Sequence, residues 1–210
     1  MKSPLSLLAL AALAASQVFA QQSQSGFEIT KIEPTFEKTP VYNIGIGPKR
    51  NTGPSKDWLI VEVEFSYEPR GASDPQFLDD LVFNYYIALK NQSAKNPQPT
   101  LITGSVTHVA IPTGKELRSS AFVSPRTLER FFDGKVPSNA SQAIAAVGVT
   151  ITRGGQVVAE MSTGEGKGNQ QWWTRFQQAP PGYVLNKNET PFAPLFGDYY
   201  EAIRAKAPGL

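Results

Sequence analysis

Trp58-Leu-Ile-Val-Glu-Val-Glu-Phe-Ser-Tyr67 is the stretch whose reading decides the fold. Leu59, Val61, Val63, Phe65 and Tyr67 alternate with Ile60, Glu62, Glu64 and Ser66, the period-2 pattern of a strand with one buried face. Its β-branched and aromatic residues suit a pleated, half-buried surface. Turn formers bound it on both sides, Gly53-Pro-Ser55 before and Glu68-Pro-Arg-Gly71 after. The stretch reads as a central strand of an all-β core.

Upstream, Phe27–Glu33 reads as an edge strand with Phe27, Ile29 and Lys31 on one side, stopped by Pro34. Val41–Ile46 is a short second piece of that edge, and residues 47–57 form a loop carrying Lys49, Arg50 and Lys56. Downstream, Leu81, Phe83, Tyr85, Ile87 and Leu89 share one face of a further strand. Its mixed other face, Val82, Asn84, Tyr86, Ala88 and Lys90, is expected to see solvent. Thr100–Ile111 is a long strand in which Gly104 marks a bulge or bend. Thr113-Gly-Lys115 turns the chain into a strand over Leu117–Val123.

One short helix interrupts the strands, at Ser124–Gly134. The Ser124 hydroxyl can cap it, Pro125 suits its first turn, and Gly134 can take the left-handed stop. Leu128, Phe131 and Phe132 fall on one helical face. Beyond it, Ala143–Thr152 and Val157–Met161 flank Arg153-Gly-Gly-Gln156, a hairpin with a two-glycine turn.

Strands that follow one another without intervening helices exclude a parallel α/β sheet. About seven short alternating strands predict an immunoglobulin-like β-sandwich, its short helix crossing between sheets after the fifth strand; a partly open barrel is the alternative.

The chain opens with Met1-Lys2, an apolar run from Leu5 and a small-residue site ending at Ala20. That is the pattern of a secretory signal peptide over residues 1–20, too short to span a bilayer and predicted to leave with cleavage. Residues 21–26 read as a disordered spacer, 27–168 as the sandwich, and 169–210 as an aromatic-rich C-terminal extension packed on the sandwich or on a partner. With no cysteine, thiol chemistry and disulfides are excluded. A formal charge of +2 gives no warrant for a nucleic-acid partner.

The chemistry-bearing residues are sparse. His108 is the only histidine, and no Gly-x-Ser-x-Gly elbow accompanies it, so it reads as a hydrogen-bonded strand residue. Glu62 and Glu64 share one strand face and could stand as a carboxylate pair, but their ordinary role is the polar face of a sheet. Gly164-Glu-Gly-Lys-Gly168 lacks the Gly-Lys-Ser/Thr ending of a phosphate loop and reads as a linker. No catalytic residue, cofactor or metal is implied. The candidate interaction residues are Trp172, Trp173 and Phe176, whose rings could stack on sugars, anchor a protein interface or dock the extension, with Lys49 and Arg50 in the basic loop.

Three segments carry a family resemblance: Gly26–Phe36, the Asn43-Ile-Gly-Ile-Gly-Pro-Lys-Arg50 loop and the Lys56–Phe65 strand, together with the Gln171-Trp-Trp173 region. They resemble the secreted, pilus-associated immunoglobulin-like proteins of verrucomicrobial gut bacteria. The resemblance implies an immunoglobulin-like fold akin to archaeal type IV pilus subunits and a place in a type IV pilus-like gene cluster at the cell envelope. It carries over no catalytic residues. One departure stands out: a pilin keeps its apolar N-terminal helix, whereas here the small-residue site follows the apolar run, as in an accessory component. The expectation is therefore a non-enzymatic exported module, in the periplasm, on the outer surface or outside the cell. It would bind other pilus-cluster or envelope proteins; the alternative is surface glycans held by Trp172, Trp173 and the basic loop. If the extension is an assembly element, removing residues 179–210 should leave a folded sandwich that no longer copurifies with its neighbours.

Overall fold

The computed structural model describes residues 26–42, 55–69, 71, 74–90, 98–168 and 171–205. The signal peptide, residues 21–25 of the spacer, and Lys49 and Arg50 with most of their loop lie outside the described residues.

The strands are β1 (Phe27–Lys38), β2 (Asp57–Tyr67), β3 (Phe77–Leu78), β4 (Leu81–Leu89), β5 (Thr100–His108), β6 (Ile111–Pro112), β7 (Gly114–Val123), β8 (Ile144–Arg153), β9 (Gln156–Gly164) and β10 (Val184–Asn186). Two helices, α1 (Pro125–Phe131) and α2 (Ala140–Ala143), join β7 to β8. One four-stranded sheet runs β1-β2-β7-β10 and a second runs β5-β4-β8-β9, with β3 and β6 paired separately. All their pairings are antiparallel. This is an all-β, immunoglobulin-like sandwich, in which the place beside β7 is filled by β10 from the C-terminal segment.

β2 and β4 supply the centre. Leu59, Val61, Val63 and Phe65 face Leu81, Phe83, Tyr85 and Ile87, all at 0% exposure. The Phe65 and Phe83 rings meet edge-on at 4.8 Å between centroids, joining the sheets. α1 begins as its sequence requires, with the Ser124 hydroxyl accepting from the Thr127 amide at 3.2 Å, and it buries Leu128. The β8–β9 hairpin turns on Gly154 and Gly155, at φ of +57° and +80°, which only glycine adopts without strain.

Several local expectations are corrected. β1 continues through Pro34 to Lys38 because it is an edge strand: its ring lacks a donor, and an edge has one side on which amides meet no strand. A register shift between Ile29 and Lys31 moves Ile32, instead of Lys31, onto the buried side with Phe27 and Ile29. Gly104 is no bulge, for the β4–β5 register runs unbroken past it; an added Cβ would lie 2.6 Å from the Val184 Cβ, so the glycine lets β10 approach. The strand after it ends at His108, where Ala110 turns at φ +52° before β6. Gly114 and Lys115 already belong to β7. Val41 and Tyr42 lie outside any strand. The outward face of β4 is largely covered: Ala88 is at 0% exposure, and Tyr86 lies under a tryptophan.

Candidate functional site

Two polar or aromatic constellations dominate the structure outside the core, and both are built by the C-terminal segment. The first lies on the outer face of the β5-β4-β8-β9 sheet. Trp172–Arg175 forms one 3-10 turn that lays its rings on the sheet. Trp173 stacks on Tyr86 at 4.2 Å, nearly parallel, and Trp172 donates from Nε1 to the Ser162 hydroxyl at 3.0 Å. Phe176 meets Trp172 edge-on at 5.7 Å. Trp172 and Trp173 are 3% and 8% exposed, buried with Ala88, Leu101, Ala145 and Ala146. Their surface is thus spent within the chain, and neither offers the free face that a sugar ring or a partner needs.

Gly148 makes room for Trp173; a Cβ there would lie 2.6 Å from its ring. Gly148→Ala should therefore lower stability by about 1–3 kcal/mol, the usual effect of overpacking, read as the urea midpoint.

From here the chain crosses the sandwich side. Leu101 exchanges backbone bonds with the passing segment, its N–H donating to Gln177 C=O at 3.4 Å and its C=O accepting from Ala179 N–H at 2.8 Å. β10 then pairs with β7, and the remaining residues cover the outer face of the β1-β2-β7-β10 sheet. Phe192 packs on Trp58, Ile60 and Phe122. Below it, Glu62 accepts from the Tyr200 hydroxyl at 2.8 Å and from Tyr199 at 3.1 Å. Arg118 lies 3.4 Å from Glu64, 3.7 Å from Glu62, and under the Tyr199 ring at 4.6 Å. Burial and the Glu62 carboxylate push the Tyr200 hydroxyl pKa upward, so it stays a donor. Glu62 and Glu64 are the polar face of a sheet, with their acceptors occupied.

His108 closes the circuit. The segment returns to β5, where Val109 N–H donates to Ala202 C=O at 3.0 Å and Arg204 N–H donates to Thr107 C=O at 2.8 Å. The imidazole is at 0% exposure. Its Nδ1 lies 3.1 and 3.2 Å from the carbonyls of Glu201 and Ala202, which can only accept, so Nδ1 carries the proton. Nε2 then accepts from the Ser119 hydroxyl at 2.7 Å, and Ser119 accepts from the Tyr85 hydroxyl at 2.7 Å. Every member is satisfied only with a neutral ring, and burial lowers the pKa to about 4. This serine–histidine pair is a buried tie between core and C-terminal segment, closed to substrate. Sequence reasoning placed His108 correctly on a strand; its carbonyl partners, 93 and 94 residues downstream, carry no local signal.

The surface left open lies elsewhere. Large apolar side chains exposed among the described residues are Val41, Tyr42, Phe77, Val157, Phe196 and Tyr199. Four of these gather on one side, since the Tyr42 hydroxyl donates to the Pro191 carbonyl, Phe192 follows, and Phe196 stacks on Phe192 at 6.4 Å. Tyr199 lies 6.5 Å from Phe196. Phe196 holds φ +61°, a strained backbone for a bulky residue, and presents its ring 44% exposed. Beside Tyr42 opens a cleft of about 550 Å³, walled by Pro40, Val41, Trp58 and Pro125, with Lys56 and Arg126 as its charged residues. Of these surface residues, the sequence marks only Lys56 as a possible contact residue; Tyr42 and Phe196 sit in proline-punctuated, aperiodic stretches. Among the described residues, no helix is long and apolar enough to cross a membrane.

A protein-family model matches residues 18–207. A solved crystal structure of a protein from Akkermansia muciniphila is similar at 26% identity, with a TM-score of 0.68 over 86% of this chain and 94% of that one. No curated protein matches. The family match and the source of this structure agree with the resemblance to verrucomicrobial proteins.

Proposed function

We propose, on the premise that this chain belongs to the family whose model spans residues 18–207, that it is a non-enzymatic, exported envelope module working through protein contacts. Its place is that of an accessory component in a type IV pilus-like assembly. The observation that carries this reading is the gathering of Val41, Tyr42, Phe196 and Tyr199, 82%, 45%, 44% and 47% exposed, on one side of a domain whose other aromatics are nearly all packed. Exposed apolar side chains gathered on one side of a folded domain mark a contact site. The residues that could have served chemistry support the same reading: His108, Glu62 and Glu64 are held by the chain's own serine, tyrosine, arginine and carbonyl groups.

Crosslinking and mass spectrometry on intact cells test it. Envelope proteins should be captured by the wild-type chain, and a Val41→Asp/Phe196→Ser variant that folds normally should lose about nine-tenths or more of that yield, as removal of interface anchors does. Equal capture by the variant, or no envelope protein captured at all, would contradict the proposal.

A further inference from the structure

The cleft beside Tyr42 has a chemistry of its own, and from it we infer that the partner inserts an extended, acidic peptide segment bearing apolar side chains. The inference rests on the contact-module reading above and names its ligand class. Three observations converge on it.

The first is charge. Among the described residues that line the cleft, Lys56 and Arg126 are the side chains charged at neutral pH, and both are cationic. Lys56 is paired with Glu129 at 2.6 Å, whereas exposed Arg126 makes no ion pair within 4 Å among the described residues. A carboxylate is the group its planar fork accepts best.

The second is surface. Val41 is 82% exposed and Tyr42 45%, while Pro40, Pro125 and the edge of Trp58 continue the apolar wall. About 550 Å³ holds one or two peptide side chains and falls in the ordinary range for ligand clefts, roughly 300–1,000 Å³.

The third is backbone. The β1–β2 ladder ends where Thr39 N–H donates to Lys56 C=O at 2.9 Å. Past it, Val41 and Tyr42 run outside any strand. An extended chain can lie along this non-strand segment while alternate side chains enter the cleft. The walls are fixed in advance by the bonds from Trp58 Nε1 to the Thr39 hydroxyl, 3.2 Å, and from Ser55 to Thr39 C=O, 2.9 Å. Such preorganisation lowers the cost of binding.

The test is selection of random dodecapeptides displayed on phage against the full folded chain, followed by fluorescence anisotropy of the selected peptides. Selected sequences should be rich in Asp or Glu beside aromatic or aliphatic residues. Each should bind about tenfold or more tightly than its Asp/Glu-to-Lys counterpart, and more weakly as salt rises. Arg126→Glu, at an exposed position, should remove that preference, whereas Arg153→Glu at the distant β8–β9 turn should leave it. No enrichment, neutral or basic binders, or a preference that survives Arg126→Glu would overturn the inference. If peptides fail while crosslinking to envelope proteins persists, the cleft assignment falls and the module reading stands; loss of both removes the two together.

Discussion

His108→Ala should destabilise the domain by about 3–5 kcal/mol, the sum of a core cavity and of buried groups left without partners. The Ser119 hydroxyl would lose its acceptor, and the carbonyls of Glu201 and Ala202 would lose their donor. Against a total stability of about 5–15 kcal/mol, this removes a large share. The histidine should also leave a mark on the pH dependence. Its pKa is about 4 in the folded chain, below the ordinary value of 6.5. Between those values the unfolded chain takes up a proton that the folded chain refuses. Stability from this group is therefore complete above pH 6.5, is lost as pH falls towards 4, and changes little further below that. The span is worth about 3 kcal/mol at 1.36 kcal/mol per unit. Glu201, raised by burial, titrates in the opposite sense, so the wild-type profile alone mixes the two. Subtracting the profile of a His108→Gln chain isolates the histidine; a flat difference between pH 4 and 6.5 would contradict the buried neutral ring.

The elements that were legible in the sequence are those whose signal is local. β2 shows its period-2 pattern over Leu59–Tyr67, the β8–β9 turn its two glycines, and α1 its Ser-Pro start. Those patterns reflect contacts that every strand or helix must make with its own core, and they sufficed for the sandwich. The C-terminal segment was not legible because it has almost no periodicity to read. Between Trp172 and Ala205 it forms short 3-10 turns, a three-residue strand and isolated bridges. Its order comes from surfaces far away in sequence, such as Tyr86 for Trp173 and Trp58 for Phe192. Gly104 and Gly148 illustrate the difficulty: each resembles a strand defect until the side chain that needs its space is in view. The contact surface was hidden for a related reason. Aromatic density pointed to Trp172 and Trp173, which the fold consumes, whereas Val41, Tyr42 and Phe196 look unremarkable until their exposure is known.

The structure also reverses the expectation that residues 179–210 can be removed without unfolding the sandwich. Cutting after Gln178 strips β10 from β7 and opens the main chain of that strand. It uncovers Trp58, Ile60 and Phe122, now 8%, 4% and 0% exposed. At roughly 1.5–3 kcal/mol for each buried apolar side chain, their exposure costs about 5–9 kcal/mol. That alone rivals the total stability of an ordinary domain. The cut also takes both carbonyls from His108 and both tyrosine donors from Glu62. The C-terminal segment is a structural strap over the sandwich, and its loss should act on folding before it acts on any partner.

Equilibrium urea unfolding of the intact chain and of the chain ending at Gln178, followed by tryptophan fluorescence, tests this strap most directly. The intact chain should unfold in one cooperative transition, and the shortened one should show no cooperative transition at neutral pH. A shortened chain that unfolds cooperatively, with a midpoint and slope close to those of the intact chain, would contradict the account.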